Sequence, residues 1–135
     1  MKIKKARGYV SSRKIDGSIV PQSIQNLVIR DFCIKNNLLY LLSSIEYKME
    51  KSFLILQKTL SEIKSIDGIV MYSIYQVPFN DNDRAKILNH IVKKSKFISF
   101  ALENITIKKK KDIENFEQIY KLSQMIKFCP TKLNE

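Results

Sequence analysis

The stretch Asp67-Gly68-Ile69-Val70-Met71-Tyr72-Ser73-Ile74 begins with a turn and continues as an almost uninterrupted apolar run. A short apolar run behind an Asp-Gly turn, rich in β-branched residues, is typical of a strand that is buried on both faces. Strands of this kind belong to parallel sheets, whose two faces are both covered by helices. The stretch therefore predicts the central strand of an α/β fold.

Three more strand-like runs lie at residues 6–10, 38–42 and 97–102, and segments with helical spacing of apolar residues alternate with them. The helical spacing is carried by Ile24, Leu27, Val28 and Phe32, by Phe53, Leu56, Leu60 and Ile63, and by Ile87, Leu88, Ile91 and Val92. A fourth helix is expected to start near Asp112, whose side chain can cap it. Four strand–helix units predict a three-layer α/β fold with a four-stranded, mainly parallel sheet and flanking helices. We expect one domain over 1–135, with a C-terminal helix and tail over 112–135.

The composition narrows the class of protein. The chain has 135 residues, 44% of them hydrophobic, with 3 Gly and 3 Pro, which argues against disordered and low-complexity chains. No apolar run approaches the roughly 18 to 20 residues of a membrane span, and no secretory leader is recognised. Two cysteines, Cys33 and Cys129, are too few for a disulfide framework. These features predict a cytoplasmic protein, and no motif for a metal or cofactor is present.

The charge of +11 is carried mainly by lysine, since 20 of the 24 basic residues are Lys and 4 are Arg. Lys, Ile and Asn, with 20, 20 and 9 copies, are the residues that A/T-rich codons supply. Surfaces that read nucleic acids rely on Arg and on interleaved aromatic residues, and the run 108–111 has only Lys. The composition therefore argues against specific nucleic-acid binding. The charge would still attract a small anionic ligand.

Polar side chains follow each predicted strand, where ligands of open α/β sheets bind. We take as candidate ligand-binding residues Ser11, Ser12, Arg13, Gln22, Gln25, Asn26, Ser43, Ser73, Tyr75 and Gln76. The strand-end carboxylates Glu46 and Glu103 are the candidates for acid–base catalysis.

Each assignment has an alternative. Ser11, Ser12 and Arg13 are suited to hold a phosphate or carboxylate near a helix N-terminus. Alternatively, the serines cap the loop and Arg13 pairs with Asp16. The side-chain amides of Gln22, Gln25 and Asn26 either contact a ligand or are simply exposed to solvent. The two carboxylates are either catalytic or only accept hydrogen bonds from backbone amides.

The chain resembles the catalytic domain of serine recombinases, the resolvase group, over roughly residues 7–107. The resemblance is carried by Gly8-Tyr9, Gln25, Asp67-Gly68-Ile69-Val70 and residues 98–107. It implies a resolvase-like or flavodoxin-like fold. Aligned through Gly8-Tyr9, the catalytic Arg of that family falls on Ser11 and the nucleophilic Ser falls on Arg13, so the resemblance does not imply recombination chemistry.

The chain is also similar, over nearly its whole length, to the sporadic carbohydrate cluster proteins, small proteins from bacterial surface-polysaccharide gene clusters. The residues that carry the similarity lie in five groups along the chain. They are Gly8-Tyr9 and 11–13; 20–22, 25–26 and 29–31; 41–43 and 46–47; 71–73 and 76–78; and 100–103. These residues largely coincide with the polar strand ends. The resemblance implies a cytoplasmic role in lipopolysaccharide, O-antigen or capsule synthesis.

These observations lead to one main expectation and two alternatives. The main one is a protein that binds an anionic activated sugar, either a nucleotide-sugar or a phospho-sugar, at the carboxyl edge of the sheet. If the protein is an enzyme, it modifies that sugar. The first alternative is a non-catalytic partner of a sugar-biosynthesis enzyme, docking through the last helix with Phe116, Tyr120 and Phe128. The second is a resolvase-like nucleic-acid binder. A homo-oligomer is expected, because so small a sheet often covers an edge or a helix face by pairing with another copy of the chain.

Overall fold

The computed structural model describes residues 2–46 and 54–127 and shows one sheet with helices on both faces. The strands are β1 (Lys4–Ser11), β2 (Leu38–Glu46), β3 (Gly68–Met71), β4 (Phe97–Phe100) and β5 (Ile105–Ile107). The helices are α1 (Gln22–Lys35), α2 (Leu54–Ser61), α3 (Asp81–Lys93) and α4 (Lys110–Lys127), with short 3₁₀ turns at Ile63–Ser65 and Ile74–Gln76.

The sheet has the order β2-β1-β3-β4-β5, and β5 alone runs antiparallel to its neighbour. The α/β architecture and the mainly parallel sheet are as predicted, but the predicted number of four strands is wrong. β5 has only three residues and follows β4 after a tight turn, where Asn104 has a positive φ of 57°. So short a strand is stabilised by pairing with β4 and leaves little signal in the local pattern.

Two apolar clusters fill the space between the layers. On one face α1 packs Ile29, Phe32 and Cys33 against the sheet. On the other face α2, α3 and α4 pack against β3, β4 and β5, with the Phe100 and Phe116 rings stacked at 5.0 Å between centroids. β3, the stretch that predicted the fold, lies at the centre and is buried along its whole length.

The second strand departs from its prediction in length and burial. The predicted run 38–42 was expected to be buried on both faces, but β2 is an edge strand in which Leu39 and Leu42 are exposed. It also continues to Glu46, so Ser43 and Glu46 belong to the strand itself. The register between β1 and β2 shifts between Arg7 and Tyr9, which is a bulge of the kind that redirects side chains at a strand end.

The last helix begins at Lys110, and the Asp112 carboxylate accepts hydrogen bonds from the backbone N–H groups of Lys108 and Lys109 at 2.9 and 3.1 Å. The Lys108 N–H in particular holds the pKa of Asp112 below its usual value. None of the helices within residues 2–46 and 54–127 has the length and apolarity that crossing a membrane requires.

Candidate functional site

The strand order changes direction between β1 and β3, whose carboxyl ends lie side by side at a topological switch point. From β1 the chain continues through α1 to β2 on one side, whereas from β3 it continues through α3 to β4 on the other side. The two loops diverge at this point, which is where open α/β sheets bind ligands. Ser11, Ser12 and Arg13 end β1 here, and Ser73 with the turn Ile74–Gln76 follows β3.

A buried network of amide groups connects the two loops at this switch point. The side-chain oxygen of Gln25, Oε1, accepts hydrogen bonds from the Ser11 backbone N–H at 3.0 Å and from Gln76 Nε2 at 3.1 Å. Gln25 Nε2 donates to the Ser11 and Val20 carbonyls, both at 2.8 Å. Gln76 Nε2 also donates to Ser11 Oγ at 3.0 Å. Because Ser11, Gln25 and Gln76 are at most 1% exposed, they connect the two loops and face protein, and their contact with a ligand stays a prediction.

The network continues from β3 to the turn after β4. The Ser73 N–H donates to Gln76 Oε1 at 3.0 Å, and Ser73 Oγ donates to Glu103 Oε2 at 2.7 Å. The other Glu103 oxygen accepts from the Ile74 N–H at 3.0 Å. Both oxygens of this carboxylate thus cap the 3₁₀ turn, and the half-buried Tyr75 lies within the same turn. Glu103 therefore accepts a hydrogen bond from a backbone amide, and its part in catalysis stays a prediction.

Arg13 and Glu46 meet through Tyr9, which sequence reasoning did not single out as a site residue. Arg13 Nη2 lies 3.4 Å from Tyr9 Oη, and the Glu46 carboxylate is close enough to the Tyr9 hydroxyl to raise its pKa. Tyr9 is completely buried and Glu46 is 1% exposed, whereas Arg13 is half-buried. Ser12 joins the group, since its N–H and its hydroxyl both donate to the Glu46 carbonyl, at 3.0 and 3.2 Å.

The protonation of Tyr9 follows from this environment. Burial raises the pKa of Tyr9 well above its usual value, the Arg13 cation opposes that rise, and the Glu46 carboxylate adds to it. The phenol therefore keeps its proton at physiological pH. Its oxygen accepts the hydrogen bond of 3.4 Å from Arg13 Nη2, which orients the guanidinium.

Asn26 and Ser43 form a separate cluster between α1 and β2. Ser43 Oγ donates to Asn26 Oδ1 at 2.6 Å, and the Tyr40 hydroxyl lies 3.1 Å from the same oxygen and 2.7 Å from Ser43 Oγ. A Cβ at Gly8 would collide with Ser43 Oγ and lie 2.9 Å from the Tyr40 ring, so glycine is required for this close approach. Gln22 is half-buried at the first residue of α1.

The structure thus joins most of the predicted residues into two connected groups. The first contains Ser11, Gln25, Ser73, Gln76 and Glu103. The second contains Ser12, Arg13 and Glu46, and it adjoins the first because Ser11 and Ser12 are consecutive. Asn26 and Ser43 lie outside both groups in their own cluster. Among residues 2–46 and 54–127, no three His, Cys, Asp or Glu side chains form a group that could hold a metal ion.

A second polar site, centred on Arg84, was missed by the sequence reasoning. Its guanidinium is fully buried and makes five hydrogen bonds: two to Glu117 at 2.7 Å, one to Asp81 at 2.6 Å, and one each to the carbonyls of Phe79 at 2.9 Å and Pro78 at 3.2 Å. It also lies 4.2 Å from the centroid of the Tyr120 ring. The i,i+3 spacing of Asp81 and Arg84 was visible in the sequence, but the partners on α4 were not.

Comparison with known proteins identifies the fold. No family model matches the chain, and no curated protein is significantly similar to it. Among solved structures it is similar to the N-terminal catalytic domain of TP901-1 integrase, with a TM-score of 0.67 and 11% sequence identity over 92% of this chain and 97% of the integrase chain. This neighbour is a serine integrase domain, so the predicted resemblance to the resolvase fold is confirmed. At this level of identity the likeness concerns the fold alone.

Proposed function

We propose that the chain binds an anionic activated sugar, a nucleotide-sugar or a phospho-sugar, at the carboxyl ends of β1 and β3, and that it acts in bacterial surface-polysaccharide biosynthesis. The observation that carries the proposal is the contact of Arg13 with the buried Tyr9 hydroxyl, 3.4 Å from Arg13 Nη2, next to the buried carboxylate of Glu46. This contact orients the half-buried Arg13 guanidinium beside the Ser12 hydroxyl, at the edge of the sheet where this class of fold binds ligands. A guanidinium held in this way is preorganised for the oxygens of a phosphate group.

Two further features support the proposal. The resemblance to sporadic carbohydrate cluster proteins rests on residues that include Tyr9, Ser12, Arg13 and Glu46. The net charge of +11 would raise the rate at which an anionic ligand meets the protein.

If the protein catalyses a reaction, Glu46 is the better candidate for the proton acceptor. Both oxygens of Glu103 already accept hydrogen bonds from Ser73 and Ile74, whereas Glu46 adjoins Arg13 through Tyr9. Because Glu46 is 1% exposed, its role as a proton acceptor for a bound sugar stays a prediction.

Calorimetry tests the proposal directly. Nucleotide sugars with different bases, together with hexose 1-phosphates, are titrated into the wild type, Arg13→Ala and Arg30→Ala. Loss of a charge-assisted hydrogen bond is worth roughly 1.5–3 kcal/mol, so Arg13→Ala should weaken binding by about 10- to 100-fold. Arg30→Ala is the matched control, because it removes the same charge from an exposed position on α1. Absence of binding by every ligand, or equal affinity in Arg13→Ala and the wild type, would refute the proposal.

A second candidate function, a non-catalytic partner of a sugar-biosynthesis enzyme, is favoured by the outward face of α4. Ile119, Leu122, Met125 and Ile126 are 45–66% exposed there. The residues predicted for this face were different: Phe116 and Tyr120 are buried against the sheet, and Phe128 lies outside the described residues. Co-purification of a biosynthetic enzyme with the wild type but not with Leu122→Glu, in a protein that binds no sugar, would support this alternative.

A further inference from the structure

A cavity of about 810 Å³ lies between the N-terminal end of α3 and the C-terminal half of α4. Phe79, Asn80 and Asp81 line it from the loop before α3 and the start of that helix, and Lys121, Gln124 and Met125 line it from α4. Its volume falls within the roughly 300–1,000 Å³ of typical small-molecule sites. None of its lining residues belongs to the group formed by Tyr9, Ser12, Arg13 and Glu46.

The loop on one side of the cavity combines a fixed backbone with an exposed aromatic ring. Arg84 Nη1 binds the carbonyls of Pro78 and Phe79, and Asn80 caps α3 by accepting from the Asp83 N–H at 3.0 Å. The Phe79 side chain nevertheless remains 73% exposed. A ring held on a rigid loop loses little conformational entropy when a ligand packs against it.

The polar groups of the cavity disfavour an anionic ligand. Asp81 and Asp83 bring two carboxylates to a rim with one ammonium group, that of Lys121, although the chain as a whole carries +11. The Arg84 guanidinium adds no donor, because its five N–H groups are already given to Glu117, Asp81, Pro78 and Phe79. An apolar ring, carboxylates and the amides of Asn80 and Gln124 remain to meet a ligand.

We infer that this cavity binds an uncharged saccharide. A pyranose ring has an apolar face of C–H groups, which would pack on Phe79, and a rim of hydroxyl groups, which would bind Asp81, Asn80 and Gln124. The choice of a saccharide over another uncharged ring rests on the function proposed above. The two sites would then hold an activated, anionic sugar at Arg13 and a neutral sugar at Phe79.

Titration with uncharged methyl glycosides tests the inference. Methyl glucoside, galactoside, mannoside and N-acetylglucosaminide are added to ¹⁵N-labelled protein, and the amide resonances of Asn80 and Gln124 are followed by NMR. At least one glycoside is expected to shift these resonances, and Phe79→Ala is expected to weaken its binding at least about fivefold. Ile34→Ala, which removes an exposed apolar side chain from α1, is the matched control and should bind as the wild type does.

Three results would overturn the inference: no glycoside shifts the two amides, Phe79→Ala binds as tightly as the wild type, or Arg13→Ala abolishes the binding. The inference and the proposed function fail separately. Binding of nucleotide sugars without binding of methyl glycosides would remove only the second site, and the reverse result would remove only the first.

Discussion

Arg84 Nε donates a 2.7 Å hydrogen bond to Glu117 Oε2, joining α3 to a residue 33 positions away on α4. A second bond of 2.7 Å links Nη2 to the other carboxylate oxygen, so the pair is bidentate. Glu117 more than any other neighbour raises the pKa of Arg84 above its usual value. The same guanidinium binds backbone carbonyls of the loop that presents Phe79. One side chain therefore both holds α4 in place and shapes the cavity between α3 and α4.

Replacing Arg84 with Met should therefore destabilise the protein strongly. Met would leave the Glu117 carboxylate, whose side chain is 25% exposed, and the carbonyls of Pro78 and Phe79 without their donor. Each polar group left unpaired in this way costs roughly 1–3 kcal/mol. Urea unfolding followed by circular dichroism measures the loss. Lys35→Met is the control, since it breaks an exposed Lys35–Asp31 pair of 2.9 Å that is worth roughly 0–1 kcal/mol. Equal effects of the two substitutions would mean that the Arg84 pair does not hold α4.

Substitutions in the amide network should be costly and non-additive. Gln25→Leu and Gln76→Leu each leave buried groups on Ser11 without a partner, at about 1–3 kcal/mol apiece. Because the two side chains bond each other at 3.1 Å, the double variant should lose less than the sum, by roughly 0.5–3 kcal/mol. Gln118→Leu, at an exposed position of α4, should change the free energy of unfolding little. Strict additivity would show that the network is not one unit.

Gly8→Ala should lower the melting temperature. The new methyl group would overlap Ser43 Oγ and approach the Tyr40 ring at 2.9 Å, and overpacking of this kind costs typically about 1–3 kcal/mol. Adding Ser43→Ala removes the closest atom, so the double variant should recover part of the loss in a thermal melt. If Gly8→Ala alone melts at the wild-type temperature, the close approach of Gly8 to Ser43 and Tyr40 is contradicted.

The Cys33 thiol should react slowly with alkylating reagents in the native state. Burial raises its pKa to about 11, so little of the reactive thiolate forms at pH 8. In a Cys129→Ser background, iodoacetamide should modify Cys33 slowly in buffer and rapidly in 8 M urea, as measured by mass spectrometry. Equal rates in the two solvents would contradict the burial of the thiol.

The same shift gives stability a dependence on pH. The unfolded thiol loses its proton near pH 8.5, whereas burial raises the pKa of the folded one to about 11. Between these values the unfolded state binds fewer protons, so the free energy of unfolding should fall as pH rises. Comparing Cys33→Ala with its parent across pH 8–11 isolates this contribution, and an unchanged slope would count against it.

The sequence by itself determined the parts of the fold that depend on local patterns. The buried run in β3 and the apolar spacing in α3 follow from residues within a few positions of one another, and they predicted the α/β class. The predicted apolar face of α1 was partly wrong, since Ile24 and Leu27 are 45% and 64% exposed. Helix α4 begins at Lys110, so Asp112 lies in its first turn and not at the capping position before it. The polar strand ends were also visible, because in a parallel sheet every strand end lies at the same edge.

Tertiary structure alone decided which of these residues meet and what each one does. Gln76 reaches Ser11 across 65 positions, Glu117 reaches Arg84 across 33, and Tyr9 connects Arg13 to Glu46. Such contacts depend on strand order, on register and on the bulge between β1 and β2, none of which the local pattern records. For the same reason the edge position of β2 and the pairing of β5 emerged only when the strands were assembled into a sheet.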